Sequence, residues 1–331
     1  MKRWLIPLLL VLLLCGCTAQ PSEYETEFFA MDTVMQLHVY GAKNAEGLAK
    51  DVIAEVNGIE GSLSVTKSGT EVFRLNGGER IAPSETLRTI LDRSSGLCGR
   101  TGGCFDPTVY PVVRLWGFTT GQHHVPDADE RSLALSQCGM QHVHQENGEL
   151  WLDAGSALDF GAVAKGYAGE LCAEKIEKSG ATGILALGGN IQTVGSKPDG
   201  SDWKIGVTNP FAPDQTIAVL SLSGSHAVVT SGGYQRYFEE DGVRYSHIMD
   251  PATGMSAASG LCSVTIVSDS GFLADGLSTA LYVMGPARAE AFWRESDDFE
   301  AVLITDDGKM LVTAGLTDKI ESQIGYTVIE R

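Results

Sequence analysis

Basic residues are scarce in this chain of 331 residues: 24 Lys and Arg stand against 42 Asp and Glu, a formal net charge of −18. Such a surface does not attract nucleic acid or anionic lipid headgroups. A phosphate-bearing ligand would need a local device, namely a metal ion, a lysine or exposed backbone amides. Familiar nucleotide and esterase signatures are missing too. There is no G-x-G-x-x-G, no Walker A run and no G-x-S-x-G, which leaves a dinucleotide fold, a P-loop and an α/β-hydrolase elbow without their fingerprints. Cysteine is sparse, with seven in all. No C-x-x-C pair occurs, and no histidines stand at zinc-ligand spacing. Cys98, Cys104, Cys138, Cys172 and Cys262 read best as small buried hydrophobes; a short Cys98–Cys104 disulfide is the alternative that export would permit. Beyond residue 14 no apolar run reaches the roughly 20 residues of a membrane-spanning helix. No Pro/Ser linker, charge block or repeat divides the middle of the chain.

What is present begins at the N-terminus. Lys2 and Arg3 precede an apolar run, Trp4–Leu14, too short to span a bilayer and typical of a secretory signal. Leu14-Cys15-Gly16-Cys17 follows and resembles a bacterial lipobox cut before Cys17. The expected organisation is a signal peptide over 1–16, a tether over 17–27 and one domain over 28–331. The protein is then exported and held on the bacterial cell membrane by lipid on Cys17.

Hydrophobic periodicity predicts a strand over 28–40 ended by Gly41. It predicts an amphipathic helix from Ala45 to Ile59 capped by Asn44, and helices over 84–96, 108–116 and 159–179. Short strands are expected at 184–187, 203–207, 217–222, 227–229 and 263–267. A hairpin is expected over 237–245, since Asp241-Gly242 suits a type I′ turn. A helix over 272–284 and a strand pair at 301–304 and 310–313 complete the pattern. Helices cluster first and strands second. That predicts an α+β fold, a single compact domain with room for two lobes, built from a mixed or antiparallel sheet with flanking helices.

Five places could carry chemistry. Asp275 and Thr279 lie at i and i+4 on one helix face, and a carboxylate with a hydroxyl makes hard oxygen ligands of the kind Mg²⁺ favours. Taken alone, the same pair is also a helix-start acid and a packed threonine. Asp159 to Ala168 is rich in small residues at a helix start, where free amides favour anions, with Lys165 adding a point charge. Leu187-Gly188-Gly189-Asn190 and Thr230-Ser231-Gly232-Gly233-Tyr234 are strand ends running into glycine turns that let backbone approach a ligand. His247, after the hairpin, is a candidate proton carrier.

The order of these segments resembles the FAD:protein FMN transferase family, often called the ApbE family. The resemblance rests on Met31-Asp32-Thr33, Gly103 to Thr108, Trp116-Gly117-Phe118, Asp159 to Tyr167, Gly188-Gly189-Asn190, Thr230 to Tyr234, His247 to Gly254, and Ala274-Asp275 with Thr279. It spans about residues 28 to 320. It implies FAD as a bound substrate and Mg²⁺ held by Asp275, Thr279 and the Ala162 carbonyl. His247 and Asp275 would be catalytic, with His247 taking the proton of an acceptor threonine. Met31, Trp116, Asp159, Lys165, Gly189, Asn190 and Ser231 would line the FAD site. Asp32 departs from the family, where many relatives have Gly. The stretch from Asp275 to Leu281 mimics the acceptor motif D-G-x-S-G-A-T, but Leu281 occupies the threonine position, so the acceptor is expected to be another protein, a membrane or extracytoplasmic electron-transfer subunit. Two rivals stay open: an FAD pyrophosphatase, in which water attacks, and an FAD-binding lipoprotein without turnover.

Overall fold

The computed structural model describes residues 22–331. The expected signal peptide, Cys17 and the first part of the tether lie outside the described residues. The chain opens on a hairpin, β1 (Glu23–Ala30) and β2 (Thr33–Tyr40), where one strand over 28–40 was expected. Met31 and Asp32 between them hold left-handed backbone, φ 49° and 58°, the geometry of a two-residue turn that matches strand twist. Neither is Gly or Asn, so the usual turn signal is absent. The fold also reaches back into residues expected as tether.

Three helices follow, α1 (Ala45–Leu63), α2 (Glu71–Asn76) and α3 (Glu85–Arg100). Asn44, Thr70 and Ser84 cap them, each side chain accepting a first-turn amide. Next come α4 (Tyr110–Leu115), α5 (Ala128–Leu135) and a small hairpin, β3 (Val143–Glu146) with β4 (Glu149–Leu152). Then α6 (Ala164–Lys178) leads into β5 (Thr182–Leu187), β6 (Asn190–Val194), β7 (Trp203–Asn209), β8 (Ala212–Leu222) and β9 (Ala227–Gly232). The hairpin β10 (Tyr237–Glu240) and β11 (Val243–Ser246) turns at Asp241-Gly242, as its sequence predicts. Strand β12 (Leu261–Ser268) is followed by α7 (Gly271–Met284) and α8 (Pro286–Arg294). The chain closes with β13 (Glu300–Thr305), β14 (Met310–Thr313), β15 (Ile320–Ser322) and β16 (Tyr326–Ile329).

Nine strands form one sheet in the order β1-β2-β5-β6-β9-β12-β13-β14-β16. All neighbours are antiparallel except β14 and β16, which run parallel. The fold is α+β, as expected. Alternation along each central strand splits its side chains between two cores. Val229, Ile266 and Leu303 face the core shared with α1, α6 and α7, while Val228, Val267, Val302 and Ile304 face the one shared with the small sheet β15-β8-β7. Being covered on both faces explains why these strands read as unbroken apolar runs. A satellite cluster joins α4 and α5 to the β10–β11 hairpin through Trp116, Phe118, Phe238, Tyr245 and Met249. Among the described residues Cys98, Cys104, Cys138, Cys172 and Cys262 are free, so no Cys98–Cys104 disulfide forms.

One element differs in a way that matters for the site. The helix expected from 159 starts only at Ala164. The Asp159 carboxylate accepts the Gly161 amide at 2.8 Å, a local turn that competes with helix, and both Val163 and Ala164 amides then fall on the Phe160 carbonyl. Beyond that irregular start, α6 and α7 cross with almost nothing between them. A Cβ on Gly166 would stand 2.1 Å from the Gly271 carbonyl oxygen and 2.6 Å from Asp275 Cβ. Backbone cannot yield as a side-chain tip does, so Gly166→Ala should cost about 3 kcal/mol, whereas Gly58→Ala, with open space around it, should be neutral or mildly stabilising. Urea unfolding of the two variants checks this; equal stabilities would mean the helices do not pack this closely.

Candidate active site

The close crossing is what puts Asp275 where it is. Its Oδ2 accepts the Gly166 N–H at 2.8 Å. In a regular helix that amide would bond to the Ala162 carbonyl four residues back; here it does not, and the Ala162 carbonyl is left facing no helical donor. Asp275 is buried. Burial pushes its carboxyl well above the usual carboxylate range, with Lys165, the Gly166 amide and the Asn190 side chain pulling the other way. The Asn190 Nδ2 is buried with no formed hydrogen bond of its own. An incompletely compensated acid beside an orphaned donor is an arrangement that asks for a ligand.

One helical turn on, Thr279 lies half-buried. The Ser231 hydroxyl is 3.3 Å from Thr279 Oγ1 and 2.7 Å from Ser278 Oγ, so the end of β9 is tied to the same helix face. The Gly188-Gly189 turn stands between β5 and β6, with φ 64° and 99°. A Cβ on Gly188 would come within 2.5 Å of Thr33, which places the Met31–Thr33 turn against it. The Gly188-Gly189 turn adjoins the end of β9, where the Thr230 amide donates to the Gly189 carbonyl.

Charge converges on the same place. Asp159 is also pushed upward by burial, offset by the Gly161 amide, Lys165 and Arg236. His247 goes the other way: burial, Arg236 and Lys165 lower its pKa to about 4. Its Nδ1 lies 3.2 Å from the Arg236 carbonyl. Only a protonated Nδ1 can donate there, so Nε2 carries the lone pair and the ring is neutral at pH 7. Among the described residues no group of three or more His, Cys, Asp or Glu is placed to hold a metal. The oxygen set available is one carboxylate, one hydroxyl and one carbonyl. It suits a hard cation that keeps other positions for water or phosphate, and the buried, under-compensated Asp275 fits such an ion.

The structure thus gathers Asp159, Ala162, Lys165, Gly189, Asn190, Ser231, His247, Asp275 and Thr279, and sets Met31 on the adjoining turn. Trp116 is different. It is fully buried, its Nε1 donates to the Gly254 carbonyl at 2.8 Å, and Phe238 and Tyr245 pack on it. It supports the 247–254 loop and offers no open ring face. Within that loop Asp250 bonds the Ala252 amide and the Thr253 hydroxyl, so D-P-x-T-G forms a self-braced turn. Two contributors were given no role by the sequence reading. Arg236 is an exposed base in no motif. Asn76 clasps both backbone groups of Leu158, each at 2.8 Å, fixing the chain just before Asp159.

Fold and site define a class, namely α+β proteins with a hard-oxygen, phosphate-suited site where turns at one sheet end meet the crossing of two helices. The model of the ApbE family matches residues 31–303, and the chain belongs to that family. It is 31% identical over 320 residues to the FAD:protein FMN transferase of Vibrio cholerae, covering 93% of this chain and 96% of that one. To the FAD:protein FMN transferase of Treponema pallidum it is 30% identical over 340 residues, 96% of this chain and 94% of that one. The crystal structure of the ApbE protein from Thermotoga maritima matches with a TM-score of 0.83 at 30% identity, covering 89% and 98% of the two chains. The flavin transferase ApbE from Vibrio cholerae matches with a TM-score of 0.80 at 27% identity, covering 90% and 99%.

The His247 shift has a testable sign. Its folded pKa of about 4 lies below the roughly 6.5 of an unfolded histidine. Between those values the unfolded chain takes up a proton that the folded chain refuses, so stability falls as pH drops from about 6.5 toward 4. His247→Asn should lose that part of the slope. Urea unfolding at several pH values, with a ring titration by NMR, checks it; a midpoint near 6.5 would overturn it.

Proposed function

We propose that this chain is an FAD:protein FMN transferase that moves the FMN half of FAD onto a threonine hydroxyl of another protein. The observation that carries the reading is the meeting of Asp275, Thr279, the Ala162 carbonyl, Lys165 and His247 at one sheet end. It occurs in a member of the ApbE family that matches named FAD:protein FMN transferases over more than nine-tenths of its length.

FAD is the substrate. Lys165 and Arg236 give its pyrophosphate the positive surroundings that the acidic chain lacks elsewhere. Asn190 offers its spare amide, and the Gly188-Gly189 and Met31-Asp32 turns border the bound molecule. Asp275, Thr279 and the Ala162 carbonyl would hold Mg²⁺, which when bound neutralises pyrophosphate charge. Ser231 keeps the Thr279 hydroxyl in place. The neutral His247 takes the acceptor hydroxyl's proton on Nε2. A bond forms from the threonine Oγ to the FMN-side phosphorus, the phosphoanhydride bond breaks, and AMP leaves with the electron pair.

Leu281 stands where a self-modified chain would need threonine, so the acceptor is a separate polypeptide with a D-G-x-S-G-A-T-type motif, a membrane or extracytoplasmic electron-transfer subunit. The protein is exported and anchored through lipidated Cys17, as Leu14-Cys15-Gly16-Cys17 supports. A mass assay tests the reaction. The domain from residue 22 is mixed with FAD, Mg²⁺ and a small domain bearing the motif. One FMN should be added to the acceptor threonine, with the rate cut at least about 100-fold by chelator or by Asp275→Ala. Free FMN and AMP with an unmodified acceptor would make it a hydrolase; FAD that stays bound and intact would sink the catalytic reading.

A further inference from the structure

Only two carboxylates are classed as buried among the described residues, Asp275 at the site and Glu60 near the end of α1. The reaction does not call on Glu60. Taking a carboxylate out of water is costly unless specific partners compensate it, so its two partners show what it is for. Oε2 pairs with Lys67 Nζ at 2.7 Å. Oε1 accepts the backbone N–H of Met31 at 2.9 Å, a bond reaching back 29 residues to the tip of the β1–β2 hairpin.

Met31 is the residue that needs holding. Among the described residues four non-glycine positions have positive φ, and the other three are Asp32, Asn147 and Asp241, types whose short polar side chains tolerate that region. Met31 has no such side chain to favour φ 49°. Its conformation is secured from outside, by Glu60. The turn so fixed carries Thr33 against Gly188, and the Gly188-Gly189 turn leads into Asn190 beside Asp275.

We infer that Glu60 is a positioning residue for FAD. By accepting the Met31 amide it holds the Met31–Thr33 turn as a fixed wall of the site, and Lys67 serves only to balance the buried charge. This rests on the FAD site described above. The step it governs is binding, so its loss should act on affinity and leave turnover at saturation alone.

The experiment is FAD titration by flavin fluorescence, with kcat and KM measured alongside, on the wild type, Glu60→Ala, Glu60→Gln and Lys67→Met. Glu60→Ala should weaken FAD binding about tenfold, raise the KM for FAD in step and leave kcat within about twofold. Glu60→Gln keeps an amide oxygen for the Met31 N–H and should stay within about twofold of wild type. Lys67→Met should do the same. A Glu60→Ala protein that binds FAD normally overturns the inference, and so does a Glu60→Gln protein as weak as the alanine variant, because charge would then matter and not the bond. A wild type that binds no FAD removes the functional reading itself, and this inference with it. Should Glu60→Ala fail to fold, amide exchange in the intact protein decides: the Met31 N–H is expected to be protected, and exchange at the rate of an open turn overturns the assignment.

Discussion

Where Gly166 meets Gly271, two helices touch backbone to backbone, and the arrangement of the site follows from that contact. A side chain at either position would push α6 and α7 apart. Contact at this range lets the Gly166 amide leave its own helix and bond the Asp275 carboxylate. One bond has two consequences. It orients an acid that would otherwise be buried without a backbone partner, and it frees the Ala162 carbonyl at the irregular start of α6. The proposed hard-oxygen ligand set would therefore come from packing of small residues and not from a cluster of acids.

The electrostatics of the molecule make sense on the same terms. A chain with a net charge of −18 repels a pyrophosphate at long range, so attraction has to be local. Lys165, beside Asp159 and Asp275, and Arg236, beside Asp159, would supply it, next to two acids whose pKa burial raises. Those acids balance the two cations locally. Burial alone would favour their protonation; the neighbouring cations and backbone amides oppose it, and a bound divalent ion would oppose it further. Site and ligand thus complete each other's charge.

Much of this was legible in the sequence because it depends on local rules. Asn44 and Ser84 announce helix starts, Asp241-Gly242 announces a hairpin, and short apolar runs mark the central strands. Asp275 and Thr279 fall on one helix face by spacing alone. What could not be read is decided by partners far away in the chain. Met31-Asp32 turns without glycine because its amide is bonded from α1. Asp159 delays a helix that its neighbours would otherwise begin. Trp116 sits beside a chemical motif, yet its ring fills a satellite core. Glu60 looks like one more acid on an amphipathic helix, and only the tertiary fold shows it turned inward. Arg236 carries no pattern at all; proximity makes it part of the site.

The low pKa of His247 ties these threads to catalysis. Burial is the main cause of that low value, and the positive charges of Arg236 and Lys165 add to it. Together they keep the ring neutral at pH 7 and its Nε2 a weak base. An anionic substrate lying against those two charges would cancel part of their field at the ring and raise its pKa, while burial would still hold it below its ordinary value near 6.5. A base is most effective when its pKa lies near the working pH. On the proposed reaction, binding would therefore make the ring a better proton acceptor when an acceptor hydroxyl needs one.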